Sequence, residues 1–471
     1  MYPCDEEHKL HYIEVTSLLC PKTTMKMHQE TEAAQDVEIK VFSYRWVQLI
    51  IFCLLGVINT MQFLQFTIVA NVIAEYYNVD SSLVDLTGLI FFIINIIFFL
   101  PISYLIERYS LRVTAIVSSV LTVAGSAVKI LGNDPSRFYA LIIGQGLCAF
   151  GQVYIFNIPT KFASAWFGPD EVSTACALAV LGTQLGAAVG AIIPPFMVVK
   201  GETKDEIGDG IFNMTLYNTI GAAVILILII LFFRARPKLP PSQSQLQLLT
   251  LDEEKTNFWK DCKLLMKDKN YILLLMSFGI INGLWNAFGI VINTFYIKYF
   301  PNGETDIGII SLIAIISGGC VGSVIFGYIL DKTHAFKTTS FVVAVCVSVT
   351  YITNVLSMVL QIRVATFFAI PIFGFFTAST LLMAFEFAIE LTYPIPESVS
   401  CSVVNAFIFL FAIIGTFVIE TLLDAIGHVG THVTIFVIFV ICTIMMLFIK
   451  GRLKRREANL SQGQTENGIT N

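Results

Sequence analysis

Charge is scarce in this chain. Of its 471 residues, 13% are Asp, Glu, Lys or Arg and 56% are hydrophobic, whereas a globular protein usually carries about 25% charged residues. A soluble core of this size could not bury so much apolar side chain, which excludes an ordinary water-soluble protein. The formal net charge of -5 comes mainly from tails and loops. No basic surface suited to nucleic acid is left, and no nucleic-acid role is expected. The ten cysteines form no CxxC or CxxxC pair, so neither a zinc site nor a disulfide framework is expected. No nucleophile-base pair or metal set stands out, so neither enzymatic activity nor a cofactor is expected. Residues 1–44 also lack the apolar stretch of a cleaved signal peptide, and the first apolar run is expected to act as the signal itself.

What the chain does have is apolar runs of 18 or more residues with almost no charge, the pattern of transmembrane helices. Twelve are expected, at about 46–70, 84–105, 112–131, 138–160, 172–198 and 216–234, then 271–297, 307–330, 338–360, 364–389, 400–423 and 430–450. The long charged, turn-rich break at 235–270 divides them six and six. The expected organisation is an N-terminal tail (1–44), a first six-helix bundle (45–234), a central loop (235–270), a second bundle (271–450) and a C-terminal tail (451–471). Basic residues near span ends are retained in the cytoplasm. With both tails and the central loop inside, 23 of the 29 Lys and Arg fall on that side; Lys129, Arg137, Lys200, Lys204, Lys298 and Arg363 fall outside. Asn213 of the Asn-Met-Thr triplet is expected in an outer loop as a glycosylation acceptor.

The halves echo each other. Gly327 precedes Asp331 and Lys332 at the end of span eight, and Ser103 precedes Glu107 and Arg108 at the end of span two, an offset of 224 residues. A glycine followed four residues later by an acidic-basic pair is the loop motif of the major facilitator superfamily, and the chain resembles a member with a degraded first copy. Glycine lets helices approach closely. An acidic group near a helix N-terminus, with a basic partner, forms a latch that breaks when the halves rock. The resemblance implies an all-α membrane protein with twelve transmembrane helices in two six-helix bundles.

Polar groups in hydrocarbon are costly and usually face a cavity. The spans carry Asn59, Gln62, Gln65, Gln145, Gln152, Asn157, Gln184, Asn282, Asn286, Asn293 and Asn405; each is read either as a pathway contact or as an interhelical hydrogen bond. No Asp, Glu, Lys, Arg or His is expected at mid-membrane depth, which disfavours proton coupling. Amides and aromatic faces suit a neutral solute or a small organic cation held by cation-π contacts.

The stretch WFGPDEVSTACALAVLGTQLGAAVGAIIPP (residues 166–195), the run FEFAIELTYP ending at Pro394, and GQVYI from Gly151 resemble the feline leukaemia virus subgroup C receptor-related transporters over essentially all twelve spans. That family comprises uniporters for choline and ethanolamine, also described as haem exporters. The resemblance implies a quaternary ammonium seated between aromatics of spans one and seven, with glutamines of spans four and eleven at the hydroxyl end. Gln152 keeps the span-four glutamine. Phe63 stands where the family has tryptophan, Asn286 where it has tyrosine with Trp285 beside it, and Phe409 where it has glutamine. A different small amine or a neutral solute is therefore an alternative, as is a non-transporting membrane receptor. Haem export is a further alternative but is disfavoured, because the six histidines lie in tails, loops or the edge of span twelve, with His428 and His432 four apart. The expected partners are a small-molecule substrate and the lipid bilayer, with no obligate protein partner. The expected location is the plasma membrane, with an intracellular membrane as the alternative.

Overall fold

The computed structural model describes residues 41–168, 171–198, 203–239, 241, 258–393, 395, 397–451 and 453–454. Ten of its helices are long and apolar enough to cross a membrane. Two departures from simple helices bring the crossings to twelve. The Glu397–Leu447 helix holds spans eleven and twelve, divided at Gly427, whose φ of 69° suits glycine because no Cβ clashes there. Span one is not the continuous helix expected over 46–70. It runs Arg45–Thr60, breaks over residues 61–66, and resumes through the Thr67–Val69 turn into Ala70–Tyr77.

Spans two to six are Ser81–Arg108, Leu111–Ile130, Phe138–Asn157 (continued by Pro159–Trp166), Val172–Ile192 and Lys204–Phe232. Spans seven to ten are Lys269–Tyr299, Glu304–Thr333, Phe336–Val359 and Arg363–Thr392. Span eight contains a π-helical turn at Ile316–Gly322. Helices satisfy their backbone groups internally, as a span in lipid requires. Successive crossings alternate in direction, so the start of span one and the end of span twelve share one face, here the tail face. Asn213, expected in a loop, sits inside the span-six helix; the apolar helical pattern continues through its triplet and absorbs it.

Span six shows how the sequence addresses its two solvents. Ile220, Val224, Ile227 and Leu231, spaced along one helical face, are half or more exposed, while Thr215, Asn218, Ala222, Ile225 and Ile229 turn inward. The exposed stripe is apolar, as a lipid-facing surface must be. Span five meets span one through Gly182, Gly186 and Gly190. A Cβ at Gly186 would stand 2.6 Å from the Val57 carbonyl oxygen, and one at Gly182 2.8 Å from that of Cys53. Small residues four apart let backbones touch in lipid, where packing rather than hydrophobicity drives helix association. The same row brings Gly190 onto the Met61 carbonyl, at the edge of the span-one break.

Candidate functional site

The break in span one positions the first candidate residue. Non-helical backbone at membrane depth is tolerated where protein surrounds it, and Gln62, Leu64, Gln65 and Phe66 are all buried. Amides hold the segment. Asn59 Nδ2 donates to Thr122 Oγ1 at 2.9 Å and to the Cys148 carbonyl at 3.0 Å. Gln145 Nε2 donates to the Gln62 carbonyl at 3.0 Å, and Asn218 Nδ2 donates to Gln65 Oε1 at 2.6 Å. Asn59, Gln62, Gln65 and Gln145, four of the eleven span amides, thus make interhelical bonds around this segment, and Gln152 and Asn293 make theirs elsewhere.

Lys129 completes this network and departs from the expectation of an outer-side base. Its side chain is fully buried, with Nζ 2.6 Å from Gln62 Oε1 and 3.0 Å from Gln145 Oε1. The residue lies in the last turn of span three, but its long side chain turns into the bundle instead of reaching water. Asp85 and His432 are also buried within spans, at 2% and 1% exposure. Ionisable side chains are therefore buried within the spans, each within about two turns of a span end rather than at mid-depth. His432 Nδ1 lies 2.9 Å from Tyr351 Oη and its ring 4.4 Å from that of Phe295. The residue lies near the start of span twelve, as expected, but turns into the interior of the second bundle.

Phe63 faces an aromatic layer. Its ring centroid lies 5.4 Å from Phe91 and 5.3 Å from Phe92 of span two, both edge-on. Phe92 stacks on Phe409 of span eleven at 5.5 Å, and Phe156 of span four stacks on Phe409 at 6.2 Å. This layer joins the two bundles. Phe92 is eleven residues into span two and Phe409 twelve residues into span eleven, about 17 and 18 Å from opposite faces at 1.5 Å per residue. Both are near mid-depth. Gln152 is 4% exposed, and its Oε1 accepts from Asn95 Nδ2 at 3.3 Å. Asn95 Nδ2 also donates to the Phe91 carbonyl at 2.8 Å, which ties Gln152 through Asn95 to the layer around Phe63.

Trp285 and Asn286 are held differently. Trp285 meets Phe373 at 5.5 Å and covers Gly374, where a Cβ would stand 2.9 Å from its ring. Among the described residues no ring contact joins it to Phe63. Asn286 Nδ2 donates back to the Asn282 carbonyl of its own helix at 2.8 Å. The structure thus groups Phe63, Gln152 and Phe409, and leaves Trp285 and Asn286 in the packing of the second bundle.

A polar seal joins the bundles toward the face opposite the tails. Asn293 Nδ2 of span seven donates to the Ile68 carbonyl and to Asn71 Oδ1, both at 2.8 Å, and its Oδ1 accepts from the Asn71 amide at 3.1 Å. Asn71 Nδ2 donates to Glu304 Oε1 of span eight at 2.5 Å. Nearby, Asp306 takes both Arg363 Nε and Nη2, at 2.5 and 2.9 Å. Asn293 was readable as a span amide; Asn71 and Glu304 were missed because they lie at span ends, where polar residues carry little signal.

The loop-motif residues sit at tail-face helix ends. Glu107 and Arg108 close span two, and Gly327, Asp331 and Lys332 lie in the last turns of span eight. The side chains of Glu107, Arg108 and Asp331 lie outside the described residues. Gly327 faces Leu382 of span ten, with 3.2 Å available to a Cβ, and Lys332 Nζ stands 5.7 Å over the Tyr328 ring.

Comparison with known proteins matches the model of the Major Facilitator Superfamily over residues 50–388. The chain is 34% identical to the uncharacterised MFS-type transporter C09D4.1 of Caenorhabditis elegans, covering 92% of this chain and 73% of that one. It is 32% identical to the choline/ethanolamine transporter flvcr2a of Danio rerio, covering 94% and 95%. In fold it is similar to a bacterial homologue of the human lysosomal transporter Spinster in an inward-facing, occupied conformation, with a TM-score of 0.66, 12% identity, and 88% and 99% of the two chains covered.

Proposed function

Because the chain belongs to the Major Facilitator Superfamily, and within it to the feline leukaemia virus subgroup C receptor-related transporters, we propose that this membrane transporter carries a small organic amine such as choline or ethanolamine. The observation that carries this reading is the mid-depth aromatic layer of Phe63, Phe92, Phe156 and Phe409, with the Gln152–Asn95 amide pair beside it. Aromatic faces attract an ammonium group through the ring quadrupole, and an amide pair can meet a hydroxyl. The named partners of this layer are uncharged, so nothing in it competes for a proton. Uniport by alternating access follows: the Asn71–Asn293–Glu304 seal breaks as the bundles rock, and residues 327–332 act as a latch on the tail face. Both termini are cytoplasmic and the membrane is the plasma membrane, an orientation supported by the distribution of Lys and Arg.

The observed positions favour Phe63, Gln152 and Phe409 as substrate contacts over Trp285 and Asn286. Haem gains no support from the buried histidine, since His432 is engaged by Tyr351 and Phe295 inside one bundle. The test is uptake of labelled choline, ethanolamine and haem by cells lacking their own carriers. Amine uptake above the background of untransfected cells is expected. Surface-expressed protein that moves haem and neither amine would overturn the reading.

A further inference from the structure

Asn95 is fully buried, yet its Oδ1 has no hydrogen-bond partner among the described residues. Both hydrogens of its Nδ2 are committed, one to the Phe91 carbonyl at 2.8 Å and one to Gln152 Oε1 at 3.3 Å. Exchanging the amide oxygen and nitrogen would set the oxygen against two other oxygens, so the hydrogen-bond network fixes the orientation. Buried polar groups are nearly always partnered, and an orphan acceptor calls for an explanation. This one sits fourteen residues into span two, near mid-depth, one turn from Phe91 and Phe92 of the aromatic layer.

Phe409 stacks on Phe92, and Asn95 stands three residues further along the same span, its amide beside that pair. Gln152 and Asn95 come from neighbouring spans and are already bonded to each other. Once Asn95 Nδ2 has fixed Gln152 Oε1, the pair offers the Asn95 oxygen as acceptor and the Gln152 nitrogen as donor, the complement of a hydroxyl group.

We propose that Asn95 is a specificity-determining residue of the transport site, its Oδ1 accepting a hydrogen bond from the hydroxyl of the substrate. The proposal rests on the amine-transport reading and assigns within it the side chain that reads the substrate hydroxyl. It also gives the orphan acceptor its partner in the loaded state. A role confined to interhelical packing would make Asn95 indifferent to which amine is carried.

The experiment compares choline with ethyltrimethylammonium, which keeps the cationic head and lacks only the hydroxyl. Initial uptake rates are measured over a concentration series in cells expressing the full chain, normalised to surface protein. The wild type is expected to show a KM for choline about tenfold below that for ethyltrimethylammonium, the scale of one buried hydrogen bond and its unpaired partner. Asn95→Leu, close in volume but without an acceptor, is expected to bring the two KM values within about twofold, chiefly by raising that of choline. If Asn95→Leu does not reach the surface, Asn95→Ser takes its place, and a reduced preference for choline is expected.

The outcomes separate cleanly. A wild type that carries both amines equally well leaves amine transport standing and overturns the Asn95 assignment. So does a variant that weakens both amines by the same factor. A wild type that carries neither overturns the amine-transport reading itself, and the Asn95 assignment with it.

Discussion

At the residue scale, the aromatic layer gives two predictions that distinguish charge recognition from polar recognition. Replacing Phe63 by leucine keeps the site apolar and removes the π-face, so a cationic substrate is expected to lose about 0.5 to 2 kcal/mol of affinity. A neutral solute is expected to be nearly indifferent; equal losses for both would argue against cation-π binding at Phe63. Gln152→Ala is expected to raise the half-saturation concentration by an amount equivalent to about 1 to 3 kcal/mol, because a polar substrate group loses its partner. An unchanged half-saturation concentration would remove Gln152 from the site. Both candidates come from the sequence, Gln152 as a polar group inside an apolar run and Phe63 through the resemblance, and the structure joins them through Asn95 and the Phe91–Phe92 rings. The burial of Lys129 was not legible there, because a lysine at the end of an apolar run ordinarily reaches for water. Only the structure shows the Gln62 and Gln145 oxygens waiting inside the bundle.

Helix packing sets the next scale. Gly186 leaves only 2.6 Å between a Cβ and the Val57 carbonyl oxygen, and that oxygen is backbone, which cannot swing aside. Gly186→Val is therefore expected to push span five off span one and lower stability by about 1 to 3 kcal/mol. A thermal-shift assay on the purified protein checks this, and an unchanged midpoint would contradict the close approach. Asn293 connects the elements across the bundles, bonding the span-one backbone at Ile68 and the Asn71 side chain. Asn293→Ala removes these bonds and should destabilise the state closed at that face. The expected result is faster thiol labelling of a cysteine introduced near Asn71 from that face; an unaltered labelling rate would count against the seal.

The number of spans was legible because apolar length alone encodes it. The break at residues 61–66 was not, since its sequence, Met-Gln-Phe-Leu-Gln-Phe, contains neither glycine nor proline. Its non-helical course rests on hydrogen bonds from Lys129, Gln145 and Asn218 of spans three, four and six, which no local pattern contains. The π-helical turn at Ile316–Gly322 escaped for a similar reason: it is fitted to Gly374 and Ser379 of span ten across the bundle.

On the scale of the whole molecule, two bundles meet through an aromatic layer at mid-depth and a polar seal toward one face. This arrangement suits the proposed alternating access, in which the layer would hold the substrate while the seal opens and closes. Asp85 and Lys129 show that ionisable groups are buried in the first bundle, but Lys129 is met by two amide oxygens and neither residue is among the ring or amide partners of Phe63, Gln152 and Phe409. Uniport is therefore the expected mode. A monovalent cation crossing the bilayer gains or loses about 2.3 kcal/mol per 100 mV, about fiftyfold in the equilibrium gradient. The most direct measurement is choline accumulation in vesicles carrying the full chain, with voltage set by a potassium gradient and pH varied independently between about 6 and 8, around the ordinary histidine range. Uniport predicts accumulation that follows the imposed voltage and changes little with pH; accumulation that follows a pH gradient and ignores voltage would contradict it.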